Sequence, residues 1–370
     1  MKIFKAILIG IMLFVLGWNA QAQEAKPVFM ERADSNLVRF YYDKNYFLVD
    51  KNCEFHSIER IAEFNAKTSF FIGEFKDYSL DGKLLLEGNY RQGIKEGVFK
   101  AYHPNGQLKW QMTYQQGVPV GELNFFYPDG NLLMTVLHQG ETVKLMTLMD
   151  DRGRRLVMDG NGKYNFKVPY AGYNPYGFPF VRLRGNIRDG FAVGKWQVLF
   201  EDDKGTVEAG EEYYAPNGAF REGYDYYTQE VYDAARYPLW PIEPFMRGEH
   251  FVSKDCTFDD FTGYTMYLGK AISDYFEGAE IPDLSKYEIT YTVEVDKRGI
   301  PKKAKVATKF NPDFDRIFAS ALGEIGNYIP SFVNGEYVDD ELTVNLIAQK
   351  AGDGSLLFHS VKIIRKAENP

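Results

Sequence analysis

Gly88-Asn89-Tyr90-Arg91-Gln92-Gly93, followed by Gly97, Tyr102 and Asn105-Gly106, is the stretch on which the reading of the fold turns. Outward from it, the same residue types return at a fixed interval. Gly73, Gly97 and Gly121 stand twenty-four residues apart, and so do Gly82, Gly106 and Gly130. Tyr90 and Tyr114 keep that spacing, as do Gly93 and Gly117. The turns between them read Leu80-Asp81-Gly82, Pro104-Asn105-Gly106 and Pro128-Asp129-Gly130. Self-similarity at such a period marks a repeat architecture.

Within one unit, Leu84, Leu86, Gly88 and Tyr90 alternate with Leu85, Glu87 and Asn89, the pattern of a strand with one face on a core. Arg91-Gln92-Gly93 turns the chain, and Gly97 to Tyr102 runs back with Phe99 at its centre. His103-Pro104-Asn105-Gly106 then reverses it again; Asn-Gly and Asp-Gly pairs tolerate the positive φ of tight hairpin turns. The second unit repeats the plan through Leu108, Trp110, Met112 and Tyr114, then Gly117, Gly121, Phe125 and Tyr127. The third starts at Leu132 and decays through Leu137 and Gly140 toward a closing turn at Asp151-Arg152-Gly153. Breaks at Pro or Gly about every dozen residues exclude a helical solenoid. The alternating aromatic and leucine residues exclude collagen and disorder. A lone hairpin cannot bury its own face, so the hairpins are expected to share one elongated, curved antiparallel sheet.

Asp159 to Pro179 interrupts the pattern with Tyr164, Tyr170, Tyr173 and Tyr176 among Gly and Pro, and reads as a long loop or irregular unit. The repeat returns at Gly185-Asn186-Ile187-Arg188-Asp189-Gly190, with Gly194 answering Gly97 and Trp196 in the place of Phe99. Tyr214-Ala215-Pro216-Asn217-Gly218 echoes Tyr102 to Gly106. On these residues, the span from about 73 to 223 resembles the bacterial variant of the MORN repeat, which occurs in exported and antitoxin-like proteins. The resemblance implies a scaffold or protein-contact surface. MORN arrays have also been associated with membranes and lipids, but no basic patch here suits anionic lipid.

Upstream, Leu37 to Asp43 and Tyr46 to Val49 read as two short strands around Lys44-Asn45, and Ser57 to Phe64 reads as either a helical turn or a strand. Downstream, Pro238, Pro241 and Pro244 around Trp240 preclude a regular helix or central strand. That segment is a linker, or an ordered strap if Leu239, Trp240, Ile242 and Phe245 bury themselves.

The C-terminal unit has a different rhythm. Tyr264, Tyr267, Leu268, Ala271, Ile272 and Tyr275 form one helical stripe. Ile289, Tyr291, Val293 and Val295 alternate with polar residues, Lys297-Arg298-Gly299 turns, and Ala304 and Val306 mark a hairpin partner. Asn311 is an N-cap candidate with Pro312 at the first helical position. Phe314, Ile317, Phe318, Ala321, Leu322 and Ile325 give that helix its apolar face; Leu342, Val344 and Leu346 mark a third strand, and Leu356 to Ile364 a fourth. The helices are expected on one face of a small antiparallel sheet.

From about Tyr264 to Ala348 this unit resembles the TonB C-terminal domain. The resemblance rests on Tyr291-Thr292-Val293 to Asp296, Gly299, the helix beginning near Pro312, Ile329-Pro330-Ser331-Phe332 before Asn334-Gly335, and the strand Glu341 to Leu346. It departs from the family after the first helix, where Ala279-Glu280-Ile281-Pro282 replaces a Tyr-Pro pair. The resemblance implies contact with short periplasmic segments of outer-membrane transporters by strand addition to a sheet edge, a mode in which main-chain bonds supply affinity.

Bulk composition narrows the rest. The chain has 370 residues, 16% of them aromatic, and a net charge of -8, so a phosphate backbone would be repelled and nucleic acid is not an expected partner. Lys2 and Lys5, the apolar run Ala6 to Gly17 and Ala20-Gln21-Ala22 form a signal-peptide pattern with cleavage expected after Ala22. The run is short for a membrane span, which needs about 20 residues. Cys53 and Cys256 flank the array; an oxidising compartment permits their pairing, but an extended array would hold them apart, and two buried free thiols is the plainer reading.

No catalytic motif stands out. His56, His103, His138, His250 and His359 show no metal-ligand spacing among themselves. The densest set is His250 with Cys256, Asp259 and Asp260, and its spacing is irregular for zinc. Asp202-Asp203 and Asp339-Asp340 each adjoin a turn, where acidity usually serves solvation. There is no Gly-Lys-Ser/Thr loop, nucleophile elbow or His-Glu-x-x-His helix. No catalytic, cofactor-binding or metal residue and no cofactor is assigned.

The organisation expected is a signal peptide (1–22), a β-rich lead-in (23–72), MORN-like repeats (73–158), a Tyr/Gly/Pro-rich insert (159–180), further repeats (181–235), a Pro-rich linker (236–250) and a TonB C-terminal-like domain (251–366). The fold class is mainly β with a C-terminal α+β domain. The function expected is a non-enzymatic, periplasmic or outer-membrane-associated adaptor that binds envelope proteins. The alternative is a TonB-like energy transducer for outer-membrane transport that keeps its N-terminal anchor; a glycan-binding module or a hydrolase in the insert ranks third. Exposed terminal strands leave homodimer formation open.

Overall fold

The computed structural model describes residues 26–34, 36–241, 244–279, 281 and 284–367. The leader expected over residues 1–22 lies outside them, as do Ile242 of the strap and Glu280 and Pro282 after the first long helix. Among the described residues the protein is mainly β: an 18-stranded antiparallel sheet runs from Met30 to Tyr232, and a 4-stranded antiparallel sheet with a few helices follows. No described helix is long and apolar enough to cross a membrane.

Strands of the large sheet pair with their neighbours in sequence, giving an up-and-down meander. Two kinds of turn alternate along the repeats. At one end, both central residues are left-handed: Gln92 and Gly93 have φ of 54° and 80°, and Gln116 and Gly117 have 49° and 82°. These mirror-image turns match the twist of the flanking strands. At the other end only the glycine is left-handed, as at Gly106, whose N–H donates to His103 O at 2.8 Å while Asn105 Oδ1 accepts from Gln107 N at 3.1 Å.

A second glycine role is steric. A Cβ on Gly88 would lie 2.7 Å from the ring of Phe99, and one on Gly185 would lie 2.1 Å from the ring of Trp196. Each aromatic ring lies across bare backbone on the adjacent strand. Replacing Gly185 with Ala is therefore expected to cost about 1–3 kcal/mol through overpacking. Gly323→Ala, on an exposed helix position with open space around it, should instead stabilise by up to about 1 kcal/mol. Urea unfolding of the two variants checks the contrast.

Ser57 to Phe64 resolves as a strand, Ile58–Asn65. Tyr46 to Val49 does not form the second upstream strand: its residues are buried, and Leu48 alone makes isolated bridges, to Tyr42 and to Ser253. The insert is also narrower than expected. Asn161–Pro169 is a full strand in register with Phe180–Arg188, and its Tyr164 is buried against Trp196. Positive φ at Asp159 and Gly160 supplies the turn before it, so only about residues 170–179 loop out.

The proline-rich segment is an ordered strap. Pro244–Glu249 makes a short 3-10 helix, and Phe245 stacks on Trp110 with centroids 5.6 Å apart. Leu239, Trp240 and Phe251 pack against the same core. The expectation of two free thiols is overturned by this path. The strap returns over the inner face of the sheet, and Leu48 N donates to Val252 O while Lys254 N donates to Leu48 O. Two residues on, Cys256 bonds Cys53, with Cα atoms 5.6 Å apart.

In the C-terminal unit, Asn311 caps the helix Pro312–Glu324, accepting from Phe314 N at 2.8 Å. That helix and Tyr264–Tyr275 share a core with strands Lys286–Val295 and Asp340–Lys350, containing Tyr264, Leu268, Tyr291, Phe314, Phe318 and Val344. A two-stranded hairpin, Ser331–Val333 with Glu336–Val338, turns at Asn334-Gly335.

Candidate interaction surfaces

Beneath the strap, the large sheet buries a charged centre. Arg60 and Asp77 are direct cross-strand partners, both without solvent exposure, and the guanidinium donates to both carboxylate oxygens at 2.7 and 2.9 Å. The rings of Tyr42, Tyr46, Phe71 and Phe75 surround the guanidinium, Phe75 nearest at 4.4 Å. Tyr46 Oη donates to Asp77 at 2.8 Å. Two further contacts reach the strap: Tyr42 Oη donates to Gly248 O, and Glu249 accepts from Tyr90 Oη at 2.8 Å and Lys95 Nζ at 2.9 Å. Burial pushes the Tyr90 hydroxyl well above its usual pKa, with the Arg60 charge opposing the shift. With no exposed atom on the pair, this centre holds the strap onto the sheet and offers no approach to a substrate.

The acids and histidines singled out in the sequence are not brought together. Cys256 is in the disulfide, Asp259 pairs with Arg365 at 2.7 Å, and Asp260 accepts from Asp255 N. Asp202 caps its turn through Lys204 N and Gly205 N, Asp339 accepts from Lys297 N and pairs with Lys302, and Asp340 accepts from Ser331 Oγ and Ala367 N. His103 bonds Phe126 O, His359 bonds Gln349, and His56 packs edge-on against Tyr41 with its pKa lowered by burial. Among the described residues no group of three or more His, Cys, Asp or Glu is placed to hold a metal. The tyrosines of the 170–179 loop pack: Tyr173 lies against Tyr264 and Tyr267, and Tyr176 stacks on Tyr227 at 4.1 Å.

Two surfaces carry exposed apolar residues. The small sheet has the order Pro301–Val306, Lys286–Val295, Asp340–Lys350, Leu356–Arg365, so its first and last members pair on one side only. One edge carries Lys302, Lys303 and Lys305, which discourage pairing. The other, Leu356–Arg365, exposes Leu357 and Ile364, takes φ 53° at Ser360, and is covered at Phe358 by the helix Tyr264–Tyr275, where Phe358 N donates to Ser273 Oγ at 2.9 Å. On the large sheet, a row of exposed apolar residues follows the tight turns: Phe70 lies over Gly93, Ile94 over Gly117, and Val118 stands exposed beyond. This row was not read from the sequence, although Ile94 and Val118 share the repeat spacing.

No protein-family model matches the chain, and no curated protein matches it.

Proposed function

We propose that the protein is a non-enzymatic adaptor of the periplasm that binds envelope proteins, with the repeat sheet and the C-terminal unit as its two contact surfaces. The resemblances to the MORN-repeat variant and to the TonB C-terminal domain support the reading, and the leader pattern supports export. The observation that carries it is the strand Leu356–Arg365, which has a strand partner on one side only and exposes Leu357 and Ile364, while the helix Tyr264–Tyr275 covers its other side at Phe358. An extended segment of a partner would add beside the part of this strand beyond Phe358, taking its affinity from the main chain and its selectivity from alternate side chains.

The test is crosslinking in cells with the full chain and with a Leu357→Glu/Ile364→Glu variant. Both positions are exposed, so the variant should keep its melting temperature. Expected is capture of a discrete envelope protein by the parent and its loss in the variant. An empty capture from folded parent, or capture unchanged by the substitutions, would overturn the proposal.

A further inference from the structure

Strands Phe70–Ser79, Ile94–Lys95 and Val118–Phe126 begin on one plan. Alternate residues of a strand share a face. Each start therefore sets a triad on the face opposite the strap: Phe70, Ile72 and Glu74, then Ile94, Glu96 and Val98, then Val118, Val120 and Glu122. Every triad has two apolar members and one carboxylate. The apolar members are seated yet half in water. Phe70 lies over Gly93 and Ile94 over Gly117, while Phe70, Ile94 and Val118 keep 49%, 49% and 52% exposure. Val98, also exposed, and Val120 are the two cross-strand partners of Thr113. Carboxylates rim the patch. Glu63 is the cross-strand partner of Ile72, Glu96 accepts from Gln116 N at 3.0 Å, and Glu74 and Glu122 are exposed. None of these four has an ion-pair partner among the described residues. The bases beside them are Lys67 and Arg91.

We infer that this face docks an amphipathic helix of a partner protein, apolar along one stripe and flanked by lysine or arginine. The inference rests on the reading of the repeat sheet as a contact surface and names what that surface takes. An exposed apolar patch with a polar rim marks an interaction site. Two features select the occupant. The carboxylates complement a basic flank and repel an anionic lipid surface. Phe70, Ile94 and Val118 stand two strands apart, about 9–10 Å per step, and a helix brings the same face round every seven residues, about 10.5 Å. A helix lying across the strands sets one apolar side chain at each triad and a base beside each carboxylate. The next step of the period is Thr142, whose polar side chain ends the row.

The capture test at Leu357 and Ile364 reads a different surface, so the two can fail separately. The probe here is a helical peptide of about 18 residues, leucine along one stripe and lysine on its flanks, titrated calorimetrically into the full-length protein. A twin peptide carries glutamate in place of lysine. Expected is saturable one-site binding of the lysine peptide and none of its twin. Ile94→Thr/Val118→Thr, which keeps β-branched residues in the strands, should weaken binding about tenfold or more. Glu74→Lys/Glu122→Lys should do the same. Glu222→Lys/Glu230→Lys makes an equal change of net charge at exposed positions elsewhere and should leave affinity within about twofold. Melting temperatures show that each variant is folded. Absent binding, equal binding of both peptides, affinity unchanged in either patch variant, or equal weakening by the control pair would each overturn the inference. So would a dimer of the parent that both patch variants dissolve, which assigns the face to a second copy. Retention on phosphatidylcholine vesicles that is lost in Ile94→Thr/Val118→Thr would assign it to a bilayer and overturn the inference too.

Discussion

Arg60→Met with Asp77 left in place is expected to lower the unfolding free energy by about 3–5 kcal/mol, because it strands a buried carboxylate without its cation. Asp77 would keep the Tyr46 hydroxyl as a donor, in a space closed by aromatic rings. The paired variant Arg60→Met/Asp77→Leu should recover most of the loss, since apolar replacement of a buried ion pair is often neutral. Lys95→Met supplies the comparison: its partner Glu249 keeps 17% side-chain exposure, so water tempers the orphaned charge and the cost should be smaller. Denaturant midpoints for the four proteins decide the matter. A single-variant loss below about 1 kcal/mol, the range of an exposed pair, would mean that water reaches Asp77 after all.

Removing the disulfide should have the second largest effect. Cys53 and Cys256 are separated by 203 residues. The chain-entropy account gives such a closure about 5 kcal/mol, within the 2–5 kcal/mol that loss of a native disulfide typically costs. Cys53→Ser/Cys256→Ser should melt well below the parent, and a reducing agent should lower the parent alone. Hydrogen exchange should quicken first at Leu48 and Lys254, whose amides join the strap to the sheet beside the bond. Equal melting of parent and variant would show that Phe245, Glu249 and the Phe55–Phe261 stack, 4.1 Å between centroids, suffice to hold the two ends together.

Local chemistry was legible in the sequence and long-range closure was not. Alternation and glycine spacing identified hairpins because each strand pairs with its neighbour, and the Asn311-Pro312 start of a helix needed only local capping. The eleven-residue interval from Gly88 to Phe99 recurs from Gly185 to Trp196, a visible signal of ring-on-backbone packing that the repeat reading noted only as a substitution. Asn161–Pro169 was missed because Tyr164 sits between Gly160, which belongs to the preceding turn, and the Gly- and Pro-rich loop after it, while Gly162 and Pro169 lie within the strand itself. Arg60 and Asp77 were invisible as a pair: a register shift between their strands sets which residues face each other, and no local pattern encodes it. The path of the strap, and with it the bond between the cysteines, depends on Phe245 and Phe251 finding rings more than a hundred residues earlier.

That path imposes an order of events on the growing molecule. Hairpins of the meander can close as soon as each pair of strands emerges, since every partner is adjacent. Their cover arrives much later: Tyr42 meets Gly248 across 206 positions, and Lys95 meets Glu249 across 154. In the interval, Phe40, Phe71, Phe99 and Trp110 stand on a formed but unroofed sheet. The species most prone to self-association is thus a nearly complete chain rather than an unfolded one, and a helper that shields aromatic surface would be needed late in its maturation.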